Sequence, residues 1–215
     1  MIRTLDRVVP AAGGKPRRAG AEDNQRLAER VALSPQSWDQ GQSRAMTARS
    51  DQLAPDWDGD RGGYRPAPLA DALGTGRPLA RWAVRGDRLG HRAAHPLLTA
   101  VWDPVMSVDL AHQMLLRARH GLRVQADASR LPVSDQAAAA VTIGDAPLFA
   151  DEVVRVLAGD GVVLWINALG RDAPFYVSTD VLVSALRSAS AGARWDAVDS
   201  EASWGSWAVP RRCRP

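Results

Sequence analysis

Three acidic residues, each placed just after a short apolar run, are the side chains whose positions suggest chemistry. Asp109 follows VMSV, Asp127 follows LRVQA, and Asp145, preceded by Gly144, follows AAAVTI. A carboxylate at the C-terminal tip of a parallel strand stands at the sheet edge where α/β folds take their ligands. There it can accept hydrogen bonds from both hydroxyls of a ribose. A local use competes with this one, because an Asp between a strand and a helix also caps the helix. Three acidic tips in sequence order on one rim carry more information than any one of them. His112 and His120 are candidates for acid–base work by residue type alone, and both read better as helix-surface residues. No catalytic base is therefore assigned, and the catalytic residues are left unknown.

The elements that must position these tips come next. Val105 to Val108 reads as a buried strand, and Leu110, Met114, Leu115 and Ala118 form a stripe near helical spacing over 111–119. Strands are expected at 122–126, 138–143 and 162–167, the last (VVLWIN) apolar throughout, as a strand buried on both faces should be. LFADEVVRVL (148–157) is amphipathic and predicts a helix, Gly159-Asp160-Gly161 a turn, and 179–188 a further helix. Segments 194–198 and 206–209 predict a closing strand pair, with Pro210 at the end or edge because it cannot donate to a ladder. Upstream, 97–102 and a stretch beginning near Pro66 read as helical. Trp57 and Tyr64 could cover a pocket mouth or simply pack. Residues 1–44 are weakly patterned, with a helix at 22–33 among prolines and glycines. They predict a poorly ordered or loosely helical extension ahead of an α/β domain over 45–215. Alternating strands and helices at this spacing predict a Rossmann-like, mostly parallel sheet with helices on both faces and an antiparallel close at the C-terminus.

Composition narrows the function classes. A chain of 215 residues, 46% hydrophobic, can build a sizeable core. The net charge is only +3, and the basic residues are nearly all arginine, with Lys15 the single lysine. The arginines are scattered rather than clustered, so no nucleic-acid partner is expected. One cysteine, Cys213, excludes an internal disulfide and a multi-cysteine metal site, and no metal is expected. No apolar run approaches the roughly 20 residues that span a bilayer. The N-terminus lacks the apolar stretch of a secretory signal. A soluble cytoplasmic protein is the expectation, and the oligomeric state is not legible.

The series VDLAHQMLLRAR, VQADASRLPVSD, a strand ending in Gly-Asp, and EVVRVLAGDGVVLW resembles class I S-adenosylmethionine-dependent methyltransferases of the small-molecule, type 11-like kind. The resemblance spans roughly 53–209 and is most specific over 105–165. It implies S-adenosyl-L-methionine as cofactor and a small molecule as methyl acceptor. It further implies that Asp109 binds the ribose hydroxyls and Leu110 packs near the adenosine. Asp127 and Ala128 would contact adenine, Gly144 and Asp145 would line the pocket below the methyl donor, and Tyr64, within 61–64, would lie near the methionine end. In-line methyl transfer needs mainly proximity and alignment. A catalytically inactive, methyltransferase-derived binding module is the alternative.

One departure bears on all of this. The resemblance calls for an acidic-x-Gly-x-Gly-x-Gly turn after the first strand, about 20 residues ahead of the ribose-binding acid by analogy with the dinucleotide fingerprint. Between Arg77 and Pro96 the only glycines are Gly86 and Gly90, and 74–96 fits no element. Alanine, arginine, glycine and proline, all with GC-rich codons, abound, and such genes keep alternative frames open. We read 77–95 as translated out of frame, with a genuine divergent loop as the alternative. Permitted codons for GDRLGHRAAH, read one base later, give E-I-G-S-G-T-G-L-L-T, running directly into Pro96. A chain made as written has lost the floor of that site, which predicts weak or absent cofactor binding.

Overall fold

The computed structural model describes residues 1–5, 21–55, 66–76, 87–88, 94–118, 121–202 and 205–213. In chain order the elements are β1 (Ile2–Thr4), α1 (Ala21–Leu33), α2 (Gln40–Leu53), α3 (Pro66–Thr75), β2 (Asp87–Arg88) and α4 (Ala94–Thr99). They continue with β3 (Met106–Asp109), α5 (His112–Leu115), β4 (Leu122–Gln125), β5 (Ala138–Gly144), α6 (Ala150–Val156), β6 (Leu157–Asn167), α7 (Thr179–Ala189), β7 (Trp195–Ala202) and β8 (Gly205–Arg212). Short 3₁₀ turns lie at Pro35–Ser37 and Gly170–Asp172.

The eight strands form one sheet in the order β1-β7-β8-β6-β5-β2-β3-β4. Strands β2 to β6 run parallel, β8 is antiparallel to both β6 and β7, and β1 joins the far edge parallel to β7. From β2 the chain steps outward through β3 to β4, then returns to β5 on the other side of β2. The strand order therefore reverses between β2 and β5, and the crevice outside the carboxyl ends of those strands is where an open α/β sheet binds ligands.

The core divides along the pleat, because successive side chains in a strand point to opposite faces. Val163 and Trp165 join a cluster with α6 and α7 and with Ala28 and Ala32 of α1. Val162, Leu164 and Ile166 join a second cluster with Leu69 and Ala72 of α3 and with Leu98. Helices thus cover both faces, as the apolar continuity of β6 requires. Helix α7 starts where the Ser178 hydroxyl accepts from the Val181 amide at 3.3 Å, and it buries Leu182 and Leu186 completely. Each such leucine contributes about 1.5–3 kcal/mol.

Four sequence expectations need correction. The stretch 74–96, expected to hold no element, contributes β2 at the middle of the sheet, with Asp87 paired to Ser107 and to Thr142. The sequence hid it because Asp87 and Arg88 are not the apolar residues that mark a central strand. The turn expected at Gly159-Asp160-Gly161 lies inside β6. Ala138 pairs with Leu157 but Ala140 with Val162, so four residues of β6 oppose one of β5 as a bulge. At Gly161 a Cβ would stand 2.7 Å from Leu157 Cδ1 and 3.0 Å from the Ala158 carbonyl oxygen, so a side chain there would make its neighbours shift. Pro210 sits within an interior strand rather than at an end or edge. It pairs with Ala197 of β7, while the β6–β8 ladder is formed at Val162↔Arg211 and resumes at Trp165↔Ala208, so the missing N–H falls in that interval. The helix expected over 111–119 is the single turn α5. Helix α2 runs through residues 44 and 45, and Ile2–Thr4 pairs with β7 in the sheet.

Candidate functional site

The parallel strands bring the three acidic tips to one rim. Asp109 is the last residue of β3 and lies opposite Gln125, the last residue of β4. Asp127 follows two residues later, so these two carboxylates end adjacent strands. Gly144 ends β5, on the other side of β2, and Asp145 follows it. Tyr64 and the segment 61–64 lie outside the described residues, as do Trp57 and His120. The out-of-frame reading of 77–95 falls there too, except for 87–88 and 94–95.

Asp109 does cap the turn that follows it: its Oδ1 accepts from the Ala111 amide at 2.9 Å. The local use and the rim position therefore coexist in one residue. Leu110 is half-buried, and its carbonyl accepts from Gln125 Nε2 at 3.0 Å, which ties β4 to the end of β3. His112 opens α5 on the exposed surface. Asp145 has φ of +47°, a left-handed conformation unusual for a residue with a Cβ. Its amide donates to the Ile166 carbonyl and its Oδ1 accepts from the Ala168 amide, both at 3.0 Å, so it bridges the ends of β5 and β6. Strain of this kind persists where the surroundings fix it and clusters at functional sites.

Asp127 is engaged by Trp38, Ser43 and Ser129. Its Oδ1 accepts from the Ser129 amide at 2.9 Å. Its Oδ2 accepts from Trp38 Nε1 at 3.0 Å and from Ser43 Oγ at 2.9 Å. Partial burial pushes the carboxyl's pKa up, but the hydrogen bonds from Trp38, Ser129 and Ser43 together outweigh that and hold it below the ordinary carboxylate value. Ala128 is half-buried in the turn after it.

Trp38, Ser43 and Arg155 are residues that sequence reasoning missed. Trp38 also meets Phe149 edge to face, with ring centroids 5.3 Å apart. Helix α2, which carries Ser43, begins with a capping box formed by Asp39 and Gln42. Its far end packs Leu53 and Ala54 against Ala111 and Met114, and Asp51 Oδ1 accepts from the Gln113 amide at 2.9 Å. The helix therefore grips the ends of both β3 and β4. From the other side, Arg155 donates to the carbonyls of Val133 (2.8 Å) and Leu131 (3.0 Å) and to Glu152 and Asp135. That fixes the loop carrying Asp127 against α6. Only the bulk of Trp38, next to a proline-flanked turn, could have drawn attention to it; its partner lies 89 residues away in sequence.

Among the described residues no group of three or more metal-ligating side chains occurs, and no helix is long and apolar enough to cross a membrane. The donor set on the rim is carboxylate and backbone, which suits hydroxyls and an amine and suits a nucleoside better than a phosphate.

No family model matches the chain. No curated protein sequence matches it either. Solved structures do match it. A SAM-dependent methyltransferase of Thermotoga maritima superposes with a TM-score of 0.59 at 16% identity, covering 79% of this chain and all of that one. DhpI in complex with SAH gives 0.58 at 17% identity, covering 83% and 100%. A SAM-dependent methyltransferase of Aquifex aeolicus gives 0.52 at 15% identity, covering 81% and 98%. The fold is that of the class I S-adenosylmethionine-dependent methyltransferases, in the Rossmann-like form expected from the strand and helix alternation.

Proposed function

We propose that this chain carries the cofactor site of an S-adenosylmethionine-dependent methyltransferase acting in the cytoplasm on a small-molecule acceptor. The observation that supports it most is the rim: Asp109, Asp127 and Gly144-Asp145 at the carboxyl ends of parallel strands on both sides of the point where strand order reverses. When bound, the cofactor supplies a methyl group on a sulfonium, open to in-line displacement. This chain's residues bind and orient. Asp109 accepts from the ribose hydroxyls and Leu110 packs near the adenosine. Asp127 and Ala128 meet the adenine, and Gly144 and Asp145 form the wall below the methyl donor. Proximity and alignment carry most of the barrier reduction in such a transfer, so no general base is assigned.

A second reading, the inactive binding module, is favoured by one feature. The segment that should bring glycine backbone under the cofactor has only Gly86 and Gly90, and the central strand itself is Asp87–Arg88. Glycine is what lets backbone approach a ligand closely. The chain as written should therefore hold an adenosyl ligand by its adenosine end alone, and weakly.

Calorimetric titration with S-adenosylhomocysteine separates the readings. Weak, saturable binding that falls about tenfold or more in Asp109→Asn and in Asp127→Asn is expected. Binding that neither substitution changes would place the ligand elsewhere. No binding at millimolar ligand would favour the module.

A further inference from the structure

We propose that a trough on the α7 face of the sheet, between β6 and β7, is a binding site for a small protonated amine that also carries an acceptor oxygen. Its role as the methyl-acceptor subsite rests on the cofactor reading above; the binding itself does not.

Ladder register sets out the trough. Side chains two apart on a strand share a face, and Trp165, Ala197 and Ala208 belong to the core cluster that α6 and α7 cover. One row across β6, β8 and β7 therefore runs Trp165, Ala208, Asp199, and the next runs Asn167, Ser206, Glu201. Strand β8 lies in the middle and offers only a methyl and a hydroxymethyl group. Longer side chains on the two outer strands, about 9.5 Å apart, flank this low floor. Gly144 pairs with Ile166, so Asp145 follows beside Asn167 and the upper row ends at the rim.

The flanks carry unmet hydrogen-bonding groups. Trp165 Nε1, both side-chain polar atoms of Asn167 and Asp199 Oδ1 are buried without a hydrogen-bond partner among the described residues. Trp165 and Asn167 are 2% and 1% exposed. Buried polar atoms are nearly always paired, so four exceptions on one patch call for a cause. Their chemistry is specific. On the β6 side the indole N–H and the Asn167 amide can donate to an oxygen. On the β7 side Asp199 brings a carboxylate oxygen, which a protonated amine both bonds and neutralises. Arg171, which feels the Asp199 charge, gives its Nε to Glu201 instead, at 2.9 Å. The turn 170–172 crosses the upper row: a Cβ on Gly170 would stand 3.0 Å from Glu201 Oε1. Gln25 of α1 holds that turn by donating to the carbonyls of Arg171 (2.8 Å) and Ala173 (2.9 Å). The Arg171–Glu201 pair is largely solvent-exposed and restrains little, so this turn is the part that gives way as a ligand enters.

The test titrates two probes against the full chain by ligand-observed NMR. Tyramine has an ammonium and a phenol oxygen at opposite ends; 4-hydroxyphenylacetate puts a carboxylate in place of the ammonium. Asp199→Asn removes the charge, and Asn167→Leu removes both polar atoms at similar volume. Saturable binding of tyramine in preference to the carboxylate is expected, weakened about tenfold or more by each substitution. Asn167→Leu should melt at or above the wild-type temperature, because an unpaired buried amide costs stability. Melting well below it would mean that the amide has structural partners, and overturns the proposal. A wild type that binds neither probe, or both equally, overturns it too, and ordered water then meets these atoms. Tyramine binding that either substitution leaves unchanged places the amine elsewhere and has the same consequence. S-adenosylhomocysteine is absent from this titration and its affinity is measured separately, so the cofactor reading and this proposal can each fail alone.

Discussion

Asp127 concentrates the residue-scale physics of this site. Desolvation alone would favour its neutral form, and the hydrogen bonds from Trp38, the Ser129 amide and side chain, and Ser43 reverse that. Its folded-state pKa lies below the ordinary 3.8, so the ionised group contributes stability that is present above that ordinary value and is lost as pH falls through the folded one. Asp127→Asn keeps one acceptor oxygen and loses the other. The wild type should be more stable than Asp127→Asn by about 1–2 kcal/mol at pH 7. Urea unfolding at steps down to pH 3 should show that gap narrowing below about pH 4. A gap that stays constant across the range would mean that the hydrogen bonds do not discriminate the charged form. Asn167, at the end of β6, shows the opposite situation. Both of its side-chain polar atoms are buried without a hydrogen-bond partner among the described residues. Such a group costs stability, and its position at the carboxyl end of a strand beside Asp145 is where a sheet of this kind tolerates that cost.

At the scale of elements, close backbone approach decides more than propensity does. Gly205 begins β8 at φ of +139°, and a Cβ there would stand 2.4 Å from the Asn167 carbonyl oxygen. Gly205→Ala is expected to destabilise by about 2 kcal/mol or more, because neither the conformation nor the space suits a side chain. Chemical denaturation would measure it, and a loss under about 0.5 kcal/mol, the range of an ordinary surface change, would mean that β8 and the end of β6 separate easily. The legibility of elements follows the same physics. Strand β5 and most of β6 could be read because uninterrupted apolar runs have one use, and α7 because its stripe is regular and its cap is a serine. Strand β2 could not be read, since two charged residues carry no strand signal and only the neighbours β3 and β5 define it. Pro210 misled because a missing donor was equated with an edge, whereas an interior strand can place it where the ladder is interrupted.

The whole molecule follows from the reversal of strand order. The parallel half gathers the acidic tips, and the antiparallel strands β7 and β8 complete the sheet on the side away from them. Residues ahead of the expected domain boundary reach the rim through Trp38 and Ser43, which donate to Asp127. No local pattern reveals those contacts, because they join residues 84 and 89 positions apart. The acidic tips, by contrast, were legible because each follows directly on the apolar run that places it. Between Arg77 and Pro96 the sequence has only Gly86 and Gly90, not the glycine series that the proposed cofactor site calls for.

The most direct test replaces residues 86–95 of this chain by E-I-G-S-G-T-G-L-L-T and compares its affinity for S-adenosylhomocysteine with that of the chain as written. Restored glycine contacts under the ligand should tighten binding by about a hundredfold, the equivalent of two or three backbone hydrogen bonds. Resequencing the gene across this window should show the frame shifted there. Equal affinity in the two proteins, or tight binding by the chain as written, would contradict the account: the floor of the site would then be built from residues other than a glycine turn.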